Sequence, residues 1–240
     1  LHQAQTRGER TVIRVDEVAV RLSAVRAAGG IGQRHRFRLE GIPEPQQVVG
    51  EAMRGVAFRQ RQAVGPEKTE AVAVTLRIEP QPGPELVGAA GHAMDVLRRH
   101  GLVEVIRGLA QPVLGICLGM QLLFEASEED DASLLGLIPA RLGRLPEADW
   151  LRVPHMGWNA IRTRAADRLT TGLDEKWFYF VHSYAAPIGD WTLATSHHGS
   201  TFSAVVRRNN FSGAQFHPER SGNAGLRVLR NWLDEVGRAA

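Results

Sequence analysis

A thiol, an imidazole and a carboxylate are the residues of this chain whose spacing could do chemistry. The thiol sits in Gly115-Ile116-Cys117-Leu118-Gly119-Met120-Gln121, directly after the apolar Pro112-Val113-Leu114. A short apolar run that enters Gly-x-Cys-x-Gly and leaves in helix-compatible sequence is the nucleophile-elbow pattern, with sulfur where a hydroxyl is usual. A strand that turns abruptly into a helix holds its central residue in a strained backbone, and side chains on either flank would collide, hence the two glycines. The turn lifts the nucleophile out of the sheet and puts it at a helix N-terminus, where a thiolate is favoured. Cys117 is the only cysteine of the chain. The competing reading is a buried structural thiol, since free cysteine is among the most buried residue types.

A thiol nucleophile needs a base and a group that orients the base. Among nine histidines, His217 stands out in Gln215-Phe216-His217-Pro218-Glu219. It ends an apolar strand, Pro218 fixes the backbone after it, and Glu219 can turn back to hold the far ring nitrogen. The order Cys, His, Glu differs from that of ordinary elbow hydrolases, but triads are defined by geometry and role.

Several elements must position these groups. Residues 92–109 carry Met94, Leu97, Leu102, Val105 and Ile106 at helical spacing. The elbow strand spans 112–116 and a helix 118–126, followed by the acidic loop Glu128-Glu129-Asp130-Asp131, most simply a solvated turn. Segments 134–145 and 150–162 read as β, 177–184 is an aromatic strand, and 191–196 with 201–206 suggest a hairpin. Residues 212–216 form a short strand before His217. An amphipathic helix over 224–236 presents Leu226, Leu229, Leu233 and Val236 on one face. The sum is an α/β fold, a mostly parallel central sheet with flanking helices and a β-rich C-terminal half.

The totals exclude several classes. At 240 residues, 43% hydrophobic and 23% charged, the chain suits a globular protein with a substantial core. One cysteine excludes an internal disulfide framework and favours a reducing, cytoplasmic setting. No apolar stretch is long enough to span a bilayer, so no membrane role is expected. A net charge of +3 with no basic, aromatic-interleaved stripe gives no nucleic-acid surface.

The elbow with its Gln121 and the late His-Pro-Glu resemble the class I, or triad, glutamine amidotransferases. Within that class, Pro154-His155-Met156-Gly157-Trp158-Asn159 and Tyr179-Phe180-Val181-His182-Ser183-Tyr184 resemble the glutaminase subunit of imidazole glycerol phosphate synthase. The resemblance implies glutamine as substrate and Cys117, His217 and Glu219 as catalytic triad. It implies oxyanion donors at Leu118 and around Val87 and Gly88. Gln121, Glu129, Tyr179, His182 and Ser183 would hold the glutamine. His155, Met156, Trp158 and Asn159 would lie at the interface with a (β/α)8-barrel cyclase partner, which receives the ammonia in histidine biosynthesis. No metal or cofactor is implied. Two alternatives stand beside it: an amidotransferase subunit of another synthase, and an inactive or incomplete copy that retains partner binding only.

The resemblance is carried by residues 85–240, the expected glutamine amidotransferase domain. Where such proteins have a Pro-Gly-Val-Gly oxyanion strand, this chain reads Glu85-Leu86-Val87-Gly88, and only the last two agree. Residues 1–84 are an atypical N-terminal segment, rich in Arg, Gln, Glu and Val, and are expected to be poorly structured or misread. A second expectation is that 11–20 and 69–78, with their partly alternating β-branched residues, supply strands.

Overall fold

The computed structural model describes residues 11–15, 18–26, 72–80 and 89–236. The oxyanion candidates Val87 and Gly88, the loop signal at 29–32 and most of 1–84 lie outside the described residues. Strands β1 (Thr11–Val15), β2 (Val18–Arg26) and β3 (Val72–Pro80) precede helices α1 (Ala89–Arg99) and α2 (Leu102–Arg107). Then come β4 (Val113–Ile116), α3 (Leu118–Gln121), β5 (Phe124–Ser127), β6 (Ile138–Arg144), β7 (His155–Ala160) and β8 (Arg162–Thr163). The chain continues through β9 (Trp177–His182), β10 (Tyr184–Ala185), β11 (Thr192–His198), β12 (Ser200–Arg208), β13 (Phe211–Ala214) and α4 (Gly222–Val236).

One sheet runs β1-β2-β3-β4-β13-β12-β11-β8. Its ladders are parallel only at the centre, β3 with β4 and β4 with β13. The ladders on either side are antiparallel. The α/β fold is as expected, and of the mostly parallel pairing expected in its sheet the parallel ladders lie around the elbow strand. The reason is connection length: β11, β12 and β13 follow one another through tight turns, which join only antiparallel neighbours, whereas β4 reaches β13 by a long crossover.

The two faces of the sheet carry separate cores. Val113 packs with Met94, Leu97, Ile106, Met120 and Phe124 on one side. Leu114 and Ile116 pack with Phe178, Phe180, Phe216, Val228 and Trp232 on the other. Successive residues of β4 thus feed opposite layers, as the two-residue period of a strand requires.

Three helix expectations are corrected. The helix expected over 92–109 is two, because Gly101 adopts φ 64° between α1 and α2, leaving Val105 38% exposed. The helix expected over 118–126 stops at Gln121, and the chain is already extended at Phe124, whose side chain is fully buried. In α4 the buried stripe is Gly225, Val228, Trp232 and Val236, while Leu226 is 44% exposed. Gly225 explains that rotation: a Cβ there would overlap the Pro218 carbonyl. The helix packs its bare backbone against the turn that follows His217.

Candidate active site

Cys117 joins β4 to α3 with φ 52° and ψ −109°, a region side chains rarely adopt. Neighbours hold it there. The Cys117 N–H donates to the Ala214 carbonyl (2.8 Å), and its own carbonyl accepts from Met120 (3.0 Å) and Gln121 (3.1 Å). Gly115 is required by close approach, since a Cβ would stand 2.5 Å from the Gly119 oxygen and 2.7 Å from the Met120 nitrogen, both backbone atoms. With four residues, α3 offers little macrodipole, so the electrostatics at Cys117 are set by specific neighbours more than by the helix.

Those neighbours are His217, Gln215 and the Val181 carbonyl. The His217 ring faces Cys117, and its Nδ1 lies 3.0 Å from Glu219 Oε1. The two contacts, the thiol's first and then the carboxylate's, push His217 up to about 9 against the opposing effect of burial. At neutral pH it is an imidazolium with the Glu219 carboxylate beside it. Cys117 Sγ lies 3.7 Å from the Val181 oxygen and 3.7 Å from Gln215 Nε2.

A clasp fixes the base to β9. The His217 N–H donates to the Tyr179 carbonyl (2.9 Å), Ser221 Oγ accepts from the Tyr179 N–H (3.0 Å), and the same hydroxyl donates to the His217 carbonyl (2.7 Å). Between Gln215 and His217, Phe216 is fully buried and stacks on Phe178 at 4.0 Å. The three candidate groups thus come from the end of β4, the segment that follows β13 and the turn at Pro218–Arg220.

The other candidates divide into those near the thiol and those in the frame. The Leu118 N–H makes no backbone hydrogen bond among the described residues, as an oxyanion donor should not. Gln121 Nε2 donates to the Tyr184 carbonyl (2.9 Å) and to Gln215 Oε1 (3.1 Å), which leaves only its oxygen for a ligand. Glu129 Oε2 accepts from the Ala90 N–H at 3.0 Å, so this residue of the acidic loop ties down the first turn of α1. Neighbouring Asp131 pairs with Arg141 at 2.6 Å. The loop is solvated as expected, with the Asp131 side chain 84% exposed, and is also anchored at both points. Ser183 lies beside β9 with its carbonyl accepting from Leu145 (2.8 Å), and the Tyr179 ring lies beneath the Arg220 guanidinium at 4.3 Å.

Buried His155 and His182 and half-buried Asn159 form a hydrogen-bonded chain. His182 Nδ1 must donate to the Tyr184 carbonyl (2.9 Å), so its Nε2 accepts from His155 Nδ1 (3.1 Å). His155 Nε2 then accepts from Asn159 Nδ2 (3.3 Å), which also donates to the His197 carbonyl (2.8 Å). Both ring nitrogens of His182 are therefore spent on the protein. Burial, with neighbouring histidines second, lowers His155 to about 3; burial likewise lowers His182 to about 4, although the Tyr184 carbonyl opposes it. Both rings are neutral spacers.

The opposite face of the β7–β9 ribbon is apolar and open. Cross-strand pairing puts Met156, Trp158 and Ala160 beside Val181, Tyr179 and Trp177. Met156 is 64%, Trp158 53% and Trp177 59% exposed. Of the four residues expected at a partner interface, Met156 and Trp158 face outward, while His155 is buried and Asn159 braces it. Sequence reading misses Trp177, Gln215, Arg220 and Ser221. A signal exists for Gln215, which stands two residues before His217 and so shares its side of an extended segment.

The family model for class-I glutamine amidotransferases matches residues 69–236, a span that includes β3 as well as the whole elbow region. Among curated proteins, the imidazole glycerol phosphate synthase subunit HisH of Xanthomonas euvesicatoria is 52% identical over 149 residues, covering 62% of this chain and 74% of the relative. The subunit of that name from Escherichia coli K12 is 48% identical over 150 residues, 62% of this chain and 76% of the relative. A solved glutamine amidotransferase from Thermotoga maritima overlaps 70% of this chain and 64% of its own at 19% identity, with a TM-score of 0.43. A nucleophile elbow bearing Cys117, a base held by Glu219 and a family match across well over half the sequence lead to one assignment: the chain belongs to the class-I glutamine amidotransferases.

Proposed function

We propose that this chain is the glutaminase subunit of an imidazole glycerol phosphate synthase, supplying ammonia for histidine biosynthesis to a (β/α)8-barrel cyclase. Two observations support the partner reading: the relatives that are 48–52% identical over 149–150 residues are HisH subunits, and an apolar face lies on the strand whose Val181 carbonyl meets the thiol. The observation that carries the chemistry is the strained elbow thiol facing a histidine that Glu219 holds.

The mechanism follows from this geometry. The Cys117 thiolate attacks the side-chain amide carbon of glutamine, and the oxygen becomes an oxyanion beside the Leu118 N–H, with Val87–Gly88 as the second donor. His217 gives its proton to the departing ammonia, leaving a thioester on Cys117. Water, deprotonated by His217, attacks the thioester, and glutamate leaves as the thiolate re-forms. Gln121 through its oxygen, together with Glu129, Tyr179 and Ser183, holds the substrate, and His182 shapes that wall from behind. Free ammonia would be protonated and lost in water, so the product needs a sealed exit. The Met156, Trp158, Trp177 and Tyr179 face is suited to dock a cyclase, because β9 behind it offers the Val181 carbonyl to the sulfur and the Tyr179 carbonyl to the base.

A cytoplasmic, reducing setting belongs to the same reading, because the nucleophile is the chain's only cysteine. Among the described residues no helix is long and apolar enough to cross a membrane. The test is ammonia release from glutamine with the cyclase and its nucleotide ligand present, for the wild type and Cys117→Ala. Release that depends on Cys117 is expected. Equal release from the two proteins would reject catalysis by Cys117, and cyclase binding without release would leave only the binding role. Trp158→Glu should lose the cyclase in a pull-down; retention would move the docking face elsewhere.

A further inference from the structure

We propose that Gln215 is a further catalytic residue, whose carboxamide N–H donates to the Cys117 thiolate, and that Gln121 is the positioning residue that fixes which end of the amide faces the sulfur. The inference rests on Cys117 being the nucleophile and adds a third group to its ionisation.

The argument begins with a carbonyl that can only accept. Gln121 has one side-chain atom 2.9 Å from the Tyr184 oxygen, so that atom must be its nitrogen. The same nitrogen is 3.1 Å from the Gln215 side chain, so Gln215 must present its oxygen there. The Gln215 nitrogen is then forced toward Cys117 Sγ, at 3.7 Å. The direction of the donor is therefore set by backbone through two amides and does not depend on a choice of amide flip at Gln215.

Burial supplies the second step. Gln215 is fully buried, and its Nε2 has no partner among the described residues besides the sulfur. A buried amide N–H without a competent acceptor is costly. A neutral thiol is a weak acceptor, whereas a thiolate is a strong one, so the amide is satisfied only when Cys117 is ionised. The Val181 carbonyl, also 3.7 Å from the sulfur, acts in the opposite sense, because it can receive only an S–H. Gln215 tips that balance toward the anion, and His217 shares the task from another side.

Because Cys117 is the only cysteine, alkylation by iodoacetamide reports this one thiol, needing neither glutamine nor a partner. The rate would be followed against pH for the wild type, Gln215→Met and Gln215→Glu, with near-UV circular dichroism to confirm folding. Gln215→Met keeps the shape and removes the donor; Gln215→Glu keeps the contact from Gln121 but turns a carboxylate oxygen to the sulfur. The midpoint of alkylation should rise in Met and rise further in Glu, with the rate at pH 6 about tenfold slower in Met, the usual scale for one hydrogen bond to a charged group. Gln121→Met, which frees the Gln215 amide to rotate, should move the midpoint in that direction by less. Variants that melt earlier but alkylate with the wild-type midpoint would overturn the proposal and leave Gln215 a packing residue. Should one variant fail to fold, the other decides, since each has its own expected midpoint. A wild-type thiol that titrates as a free cysteine would instead overturn the assignment of Cys117 itself. Absence of ammonia release with normal alkylation behaviour would count against the synthase assignment alone.

Discussion

Two hydrogen-bond chains leave the Tyr184 carbonyl, and they end in opposite chemistry. Through Gln121 and Gln215 one reaches the Cys117 sulfur; through His182 and His155 the other reaches Asn159 on the exposed ribbon. The first delivers an amide donor to the sulfur. The second is a run of neutral rings in which every nitrogen already has a partner, so an added proton would set donor against donor. His217 lies near the first and His155 in the second. One is raised to about 9 because a thiol and a carboxylate face it, the other lowered to about 3 because burial and further imidazoles surround it. Residue type therefore says little about protonation here, and partner identity says nearly everything.

The most damaging way to break the comparison is to remove the charged histidine. His217→Ala should lower kcat for glutaminase activity by roughly 10²–10⁴, the range for loss of a general acid–base group. It should do so with little change in KM, because the proton it moves matters in the transition state. An initial-rate assay with the cyclase and its ligand checks both values; a large KM effect with unchanged kcat would make His217 a binding group. Glu219→Gln should cost less, roughly a hundredfold at neutral pH, and should be distinguishable by pH. kcat/KM of the free enzyme should fall as pH rises through about 9, where the His217 imidazolium loses its proton. Removing the Glu219 charge removes a cause of that elevation, so the alkaline limb should move to lower pH. An unmoved limb would show that Cys117 alone sustains the imidazolium.

The triad is legible in the sequence because its signals are local. Gly115-Ile116-Cys117-Leu118-Gly119 announces a crowded turn within five residues, and only Pro218 separates His217 from Glu219. The strand at 177–182 is legible for a similar reason, its run of aromatic residues with Val181. Contacts between distant segments are not. Gln121 and Gln215 are 94 positions apart, and nothing in either local pattern says that they touch. The His155–His182 contact depends on the register of β7 against β9, and that register also sends Trp158 outward and Phe180 inward. The rotation of α4 is set by the approach of Gly225 to Pro218, a steric event invisible to hydrophobic spacing. Even the elbow is only half legible: its pattern implies the strained thiol, but neither the shortness of α3 nor the side chains that meet the sulfur.

The gentlest test concerns stability and asks whether the two chains respond to pH with opposite signs. For His217 the folded value is raised, so its contribution is fully present below the unfolded value near 6.5 and is lost as pH climbs toward about 9. For His155 and His182 the folded values are lowered to about 3 and about 4, so the unfolded chain takes up protons that the native rings refuse. Their contribution is present above about 6.5 and drains away as pH falls toward 4. Urea midpoints measured at pH 7 and pH 4.5 should therefore fall on acidification. His155→Phe retains the aromatic packing against Phe180 and the His198 ring, which stack at 4.9 and 4.2 Å, but removes the most depressed titrating group. It also strands His182 Nε2 and loosens Asn159, so the variant should be less stable at pH 7 by about 1–3 kcal/mol. Its loss between pH 7 and 4.5 should nevertheless be smaller than that of the wild type. An equal or larger loss would mean that acid sensitivity arises elsewhere, and that the neutral chain is held by packing rather than by its fixed order of donors and acceptors.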